Sequence, residues 1–480
     1  MNERAKAIIF VGFKFKKEAI LAARELGFAP LLVTENSPTV PEGLFAEIFH
    51  LPLHDTEKVD TFCTQVRKRF LIKSVVTNYD DFVVQRSFLA TKLGIPAPSL
   101  YSACCARNKV MQRHAFNFLR ENIPNRIVKS EKATLRAFRA LGGDVYLKAI
   151  SGVKSQFVTR VRSESELHAA FAQLDRKNLD LDPGLYDAFS FFNLQFHYPD
   201  PHKTFLVEKT VTGQQLAVLS LMGSHDIWHA PSVADIYSAQ DLGRDDTFLA
   251  FRILPSKHPA TLVRKIHDVT STAIHVLGMK NAAFHSEFLL TETGDLKIVE
   301  INGRVGGYRP TMYREAYGID VSKLFIQATL NRKISARGRR RKFVSLMEIF
   351  PDRDGIFHSV SGWDTVQHDP DISYIRAQAK PGESVGQAKS GHRPVLVFLI
   401  SGKTYEQVYA RSVELQGKLK VQLHEKKAEL PQKSSLGGLL FLKNFLVIPL
   451  ATILGLGFFS KEQPRIESPK EGKTDLLFAK

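Results

Sequence analysis

The sequence predicts an open α/β domain, then an α+β core, then a smaller α+β domain. Three observations carry this. Apolar runs alternate with helical spacing over about the first hundred residues, and strand-like and helical runs then mix as far as Leu330. Finally, seven basic residues in eleven, Arg332 to Lys342, separate that core from a last stretch of short strands. A chain of 480 residues, 44% hydrophobic and 24% charged, can build several packed cores, and its composition excludes wholesale disorder.

In the first domain, residues 1–99, Ala7 to Gly12 reads as a buried strand and Glu18 to Leu26 as a helix stopped by Gly27. Pro30 to Val33 is a second strand. Ser74 to Thr77 is another, followed by a helix from Phe82 to Leu93 that ends at Gly94 before Pro96 and Pro98. The first turn, Val11-Gly12-Phe13-Lys14, lacks the glycine spacing that brings backbone against a pyrophosphate, so a dinucleotide-binding function is not expected. One of Asp80 and Asp81 is expected to cap the helix that follows.

The core, residues 100–331, carries strand-like runs at Val145–Ile150, Phe205–Val211, Leu216–Leu221, Phe284–Leu290 and Leu296–Ile301. The basic run reads as a solvated linker, since no aromatic residues interleave it for base stacking, and nucleic acid is not an expected partner. In the last domain, residues 343–423, Val395–Ile400 reads as a strand and Tyr405–Leu415 as a helix.

The 66 Lys and Arg exceed the 49 Asp and Glu, and the net charge of +17 favours anionic partners without bearing on fold. Cys63, Cys104 and Cys105 fit neither a disulfide framework nor a zinc spacing, so a reducing, cytoplasmic setting is expected. The early apolar run is followed by lysines rather than a cleavage site, which argues against a secretory signal.

The most informative segment is Phe284 to Leu290, a turn at Thr293-Gly294-Asp295, and Leu296 to Arg304. As a hairpin it brings Glu287 near the end of the second strand, where alternation puts Glu300, Asn302 and Arg304 on one face. Two carboxylates and an amide oxygen are hard ligands of the kind Mg²⁺ takes beside substrate phosphates, and an arginine fork suits a transferring phosphoryl group. A solvent-facing polar hairpin explains any one of these residues, but not four gathered at one end. Upstream, Lys148 at a strand end precedes Ser151, Gly152, Lys154 and Ser155, a loop whose N–H groups and cation suit a polyphosphate.

In order and spacing these pieces resemble the ATP-grasp superfamily, and within it the carboxylate-amine ligases of the L-amino acid ligase type. The resemblance runs from about residue 5 to 423 and includes Asn108-Lys109, the Lys148 strand and loop, Glu208, the Glu300 to Arg304 run, Gly306-Gly307 and the domain after Phe343. It implies an ATP-grasp fold with a preceding open α/β domain, and a ligase that forms an amide through an acyl phosphate and releases ADP and phosphate. By the same resemblance, Lys109 and Lys148 contact the α and β phosphates, and the backbone from Glu208 through Lys209 to Val211 holds adenine. Glu208 receives the adenine amino group, and Gln215 stands where relatives carry a ribose-binding Glu. Glu287 and Glu300 bind Mg²⁺, Asn302 a second Mg²⁺, with Mn²⁺ as a substitute, and Arg304 neutralises the transferred group. Lys154 and Phe157 replace loop glycines of the relatives, which implies a stiffer lid. His285 either orients the substrate carboxylate or a metal ligand, or is a satisfied structural histidine.

The expected partners are thus a small-molecule carboxylate and amine, with a homodimer as a further expectation. The tail, residues 424–480, holds fifteen nearly unbroken apolar residues, Phe445 to Phe459, or ~22 Å as a helix. Extension back to Leu436 gives membrane-spanning length but includes Lys443. A membrane surface contact through 436–459 and a helix docked on the protein itself are both open. With the altered loop, the first leaves a non-catalytic nucleotide-binding regulator at a membrane surface as the alternative function.

Overall fold

The computed structural model describes residues 4–424 apart from 13–14, 36–39, 151–157, 177–195, 197, 225 and 247. The N-terminal sheet is parallel, with the order Glu47–His50, Ala29–Thr34, Ala5–Val11, Phe70–Val76. Its first strand is buried from Ala7 onward because both faces are covered, which is why it reads as a continuous apolar run. Sequence reading missed the strand Glu47–His50 and the helix Thr56–Arg69, which Asp55 caps by accepting from Lys58 N at 3.1 Å. Gly12 (φ +128°) ends the first strand, and a Cβ there would lie 2.8 Å from Phe82 Cδ2. Glycine at this turn admits an aromatic ring.

Three antiparallel sheets follow, of which two form the core. The smaller has the order Asn125–Val128, Phe205–Lys209, Val145–Ala149, Val158–Val161. The larger has nine strands, and its path runs from Leu296–Asn302 through Ala282–Leu290, Gln214–Met222, Ala234–Ser238 and Leu249–Leu254 to Phe343–Ile349, Leu396–Gly402 and Ile372–Ala377. The last three come from the C-terminal stretch and continue the central sheet, with helix Tyr405–Lys418 packed on Phe343–Ile349 and Leu396–Gly402, while Gly355–Ser361, Ser384–Val385 and Lys420–His424 form a separate three-stranded sheet. The basic run between the two stretches is largely exposed, anchored by buried Ile334 and by Arg341 N donating to Ala316 O at 2.8 Å.

The N-terminal domain is fixed to the core by apolar packing and by buried polar ties. Ile8, Phe10 and Ile20 share one core with Leu219, Phe325 and Leu346. Arg86, 1% exposed, donates to Val75 O at 2.8 Å and to Asn281 O at 2.6 Å, and Ser74 Oγ donates to Thr329 O at 3.1 Å. Cys63, Cys104 and Cys105 are free and buried. Among the described residues no helix is long and apolar enough to cross a membrane, and the apolar segment 436–459 lies outside them.

Candidate active site

The hairpin of Ala282–Leu290 and Leu296–Asn302 sets one wall. Its register pairs His285 with Asn302 and Glu287 with Glu300. Directly opposed residues of an antiparallel pair project to the same face, so four polar side chains form one patch. Asn302 Nδ2 donates to Glu300 Oε1 at 2.9 Å, His285 Nε2 lies 3.0 Å from Glu287 Oε1, and Gln215 Nε2 donates to Glu287 Oε2 at 2.9 Å. Burial opposes charge on Glu287, but the His285 bond and the Arg304 and Arg309 cations outweigh it and hold the carboxyl below its usual range. Burial lowers His285, with Glu287 opposing in part. Its Nδ1 is buried without a hydrogen-bond partner among the described residues. Among the described residues no three His, Cys, Asp or Glu side chains form a metal cage. Two carboxylates with an amide nevertheless fit Mg²⁺, which is held through one or two carboxylates plus substrate phosphates and waters.

The facing wall begins at helix Lys109–Ala115. Asn108 caps it, accepting from Val110 N at 3.0 Å and Met111 N at 3.2 Å, while Lys109 N donates to Ile150 O at 2.7 Å. That bond sets Lys109 beside the end of the Lys148 strand. Burial lowers the Lys109 ammonium, as do Arg107 and Lys148, with Glu300 opposing. The cleft between the walls is lined by Lys109, Gln112, Arg113, Lys148, Glu208, Val299 and Glu300, and an adjoining one by Arg107, Lys109, Glu300 and Asn302 among others.

The Glu208 carboxylate is tied to Arg113 Nε through one oxygen and to Lys148 Nζ through the other. Burial works against the charged form, yet the two cations hold this carboxyl at about 2. The backbone from Glu208 to Val211 follows on that strand, with Lys209 N already donating to Pro124 O and Thr210 N to Asp144 O. Gln215 donates through Nε2 to Glu287 Oε2. Ser151, Gly152, Lys154, Ser155 and Phe157 lie outside the described residues.

Beyond Asn302, Arg304 pairs with Asp80 of the N-terminal domain, Nε to Oδ2 at 2.7 Å and Nη2 to Oδ2 at 2.5 Å. Asp81 reaches Arg107 at 3.4 Å. The expectation that one of these aspartates caps a helix fails: neither does, because both face arginines of the core.

Sequence reading missed three buried side chains here. Gln112 makes a reciprocal pair with Ile301, accepting from its N–H and donating to its carbonyl, each at 2.9 Å. Arg113 donates to Ile298 O at 2.8 Å and Val299 O at 2.6 Å besides binding Glu208. The available signal was spacing, since Lys109, Gln112 and Arg113 stand at i, i+3 and i+4 of one helix. The third, Arg309, starts helix Arg309–Tyr317 and carried no such signal.

Residues 142–312 match the family model of the ATP-grasp domain, and residues 348–424 that of the L-amino acid ligase C-terminal domain 2. The alanine–anticapsin ligase of Bacillus subtilis is 23% identical over 291 residues, covering 56% of this chain and 56% of that protein. The chain thus spans little more than half the length of the curated relatives it matches. The structure of an L-amino acid ligase from Bacillus licheniformis superposes with a TM-score of 0.73 at 17% identity, over 88% of this chain and 100% of that one. The biotin carboxylase domain of Hydrogenobacter thermophilus 2-oxoglutarate carboxylase, a dimer in complex with MgADP, superposes at 0.60 with 15% identity, over 86% and 90%.

Proposed function

Because the chain is an ATP-grasp protein of the L-amino acid ligase type, we propose that it joins a carboxylate to an amine at the expense of ATP. The carrying observation is the in-register pair Glu287 and Glu300, with Asn302 and Arg304 continuing the same strand end and Lys109 and Lys148 across the cleft. An oxygen of the acid attacks the γ-phosphorus, the bond from that phosphorus to ADP breaks, and an acyl phosphate results. The amine nitrogen then attacks the acyl carbon and loses a proton, and phosphate leaves with the former carbon–oxygen bond pair.

In this reading Lys109 and Lys148 bind the α and β phosphates, and backbone from Glu208 to Val211 holds the adenine. Glu287 and Glu300 hold one Mg²⁺ and Asn302 a second. Bound there, the ions neutralise phosphate oxygens in the manner of in-line phosphoryl transfer. Arg304 meets the charge that builds on the transferred group, with Asp80 fixing its fork from the neighbouring domain. His285 keeps Glu287 oriented through its Nε2 bond.

The test is amine-dependent ADP release with Mg²⁺-ATP and a pooled set of acids and amines, the new amide being found by mass spectrometry. Glu300→Gln is expected to lower that rate by ~10²- to 10³-fold, as loss of one such electrostatic group does. A Glu300→Gln rate equal to that of the unaltered protein, or ADP release that ignores both acid and amine, would remove the reading.

A further inference from the structure

The ligase reading leaves one buried charge without a use. Arg309 is 2% exposed, and among the described residues no carboxylate lies within ion-pair distance of it. Its guanidinium bond is from Nη1 to Met312 Sδ at 3.5 Å, a weak acceptor. The chain satisfies its other buried arginines: Arg113 has Glu208 and two carbonyls, and Arg86 two carbonyls. An unpaired buried cation is costly unless something completes it.

The surroundings say what would complete it. Burial works against the Arg309 charge, as do Arg252 and Arg304, while Tyr313 and Glu287 favour it, so the proposed metal-facing carboxylate and phosphoryl-facing arginine are among its electrostatic neighbours. Arg304 is paired with Asp80 and Arg252 with Glu348 at 3.3 Å, which leaves Arg309 as the arginine of this group with no carboxylate in contact among the described residues. Gly306 is the spacer. A Cβ there would lie 2.9 Å from Arg309 Cγ and 2.7 Å from His285 Nδ1.

We propose that Arg309 holds a second anionic group of the acid substrate, so that the acid carries one carboxylate to be activated and another anion to be anchored. The inference rests on the ligase reading and narrows its substrate class from acids in general to dianionic acids. A dicarboxylate and a phosphorylated carboxylate share this chemistry, and the assay separates them.

The experiment compares chain-matched monocarboxylates, dicarboxylates and phosphorylated carboxylates as acid substrates in ADP release, for the unaltered protein and Arg309→Met. A thermal-shift titration with the same acids reads binding without turnover. One dianionic class is expected to exceed the monocarboxylates by about 10- to 100-fold in kcat/KM, as a buried charged site does against a ligand lacking its partner. Arg309→Met is expected to abolish that preference through KM while leaving the KM for ATP unchanged. Its unfolding midpoint is not expected to fall, because removing an unpaired buried charge costs the fold nothing. Equal use of all three classes by the unaltered protein, or a variant weakened alike toward every acid, would overturn the proposal. Failure of every acid to release ADP would instead count against the ligase reading, and dianion-specific thermal shifts lost in Arg309→Met would still support the anchor.

Discussion

The two proposed ends of the site, nucleotide and acid, handle buried charge in opposite ways. At the nucleotide end Glu208 places one oxygen on Arg113 and the other on Lys148, and Arg113 gives its remaining donors to Ile298 and Val299. At the acid end Arg304 has Asp80, but Arg309 has a methionine sulfur. A network that balances itself is part of the fold and should report on stability. An unbalanced charge is what a ligand completes, and should report on substrate.

The comparison breaks most visibly if Glu208 proves dispensable. Glu208→Gln strands two cations in a buried site, and loss of one partner from such a network costs on the order of 3 kcal/mol. The unfolding midpoint at pH 7 is expected to fall accordingly. The pH dependence carries the same signature. The folded carboxyl sits at about 2 against an ordinary 4.5, so its contribution is full above about pH 4.5 and is lost as the pH falls toward 2. Stability of the unaltered protein should decline through that window, and Glu208→Gln should lose part of the slope. An unchanged midpoint with an unchanged acid slope would show that the nucleotide end is not structural.

What could be read from the sequence divides along the same line. Glu287, Glu300 and Asn302 were legible because strand alternation and a short turn, both local, fix which residues share a face. The ATP-grasp fold was legible from the order of such local pieces. Asp80 was read as a cap because its partner, Arg304, is 224 residues away and enters only when the N-terminal domain packs on the core. Arg113 and Arg309 sit on helices, where burial depends on what the helix meets. The joining of Phe343–Ile349 to Leu249–Leu254 is a non-local pairing that no run of residues announces.

A finer cut comes from Gln112, which balances backbone rather than charge. Gln112→Met keeps the volume but leaves the Ile301 N–H and carbonyl without their side-chain partner, at a cost of about 1 to 3 kcal/mol. Ile301 lies between Glu300 and Asn302, so kcat for ADP release is expected to fall about tenfold while the KM for the acid stays within twofold. A KM effect equal to the kcat effect would mean that the clamp serves binding at the acid end as well.

The smallest effect is expected where the acid end meets His285 and Glu287, the metal end of the site in the proposed reading. In Gly306→Ala the new Cβ would stand 2.7 Å from His285 Nδ1 and 2.9 Å from Arg309 Cγ, so one of the two must give way, and overpacking of this kind costs about 1 to 3 kcal/mol. His285 is pinned by its 3.0 Å contact to Glu287, whose other oxygen is held by Gln215. Arg309 is tethered by one weak bond to sulfur and a flexible stem. The arginine therefore moves first. The acid KM should rise several-fold while the Mg²⁺ concentration for half-maximal rate stays nearly constant. A shift in Mg²⁺ dependence with the acid KM unchanged would reverse the assignment, making the metal end the looser of the two.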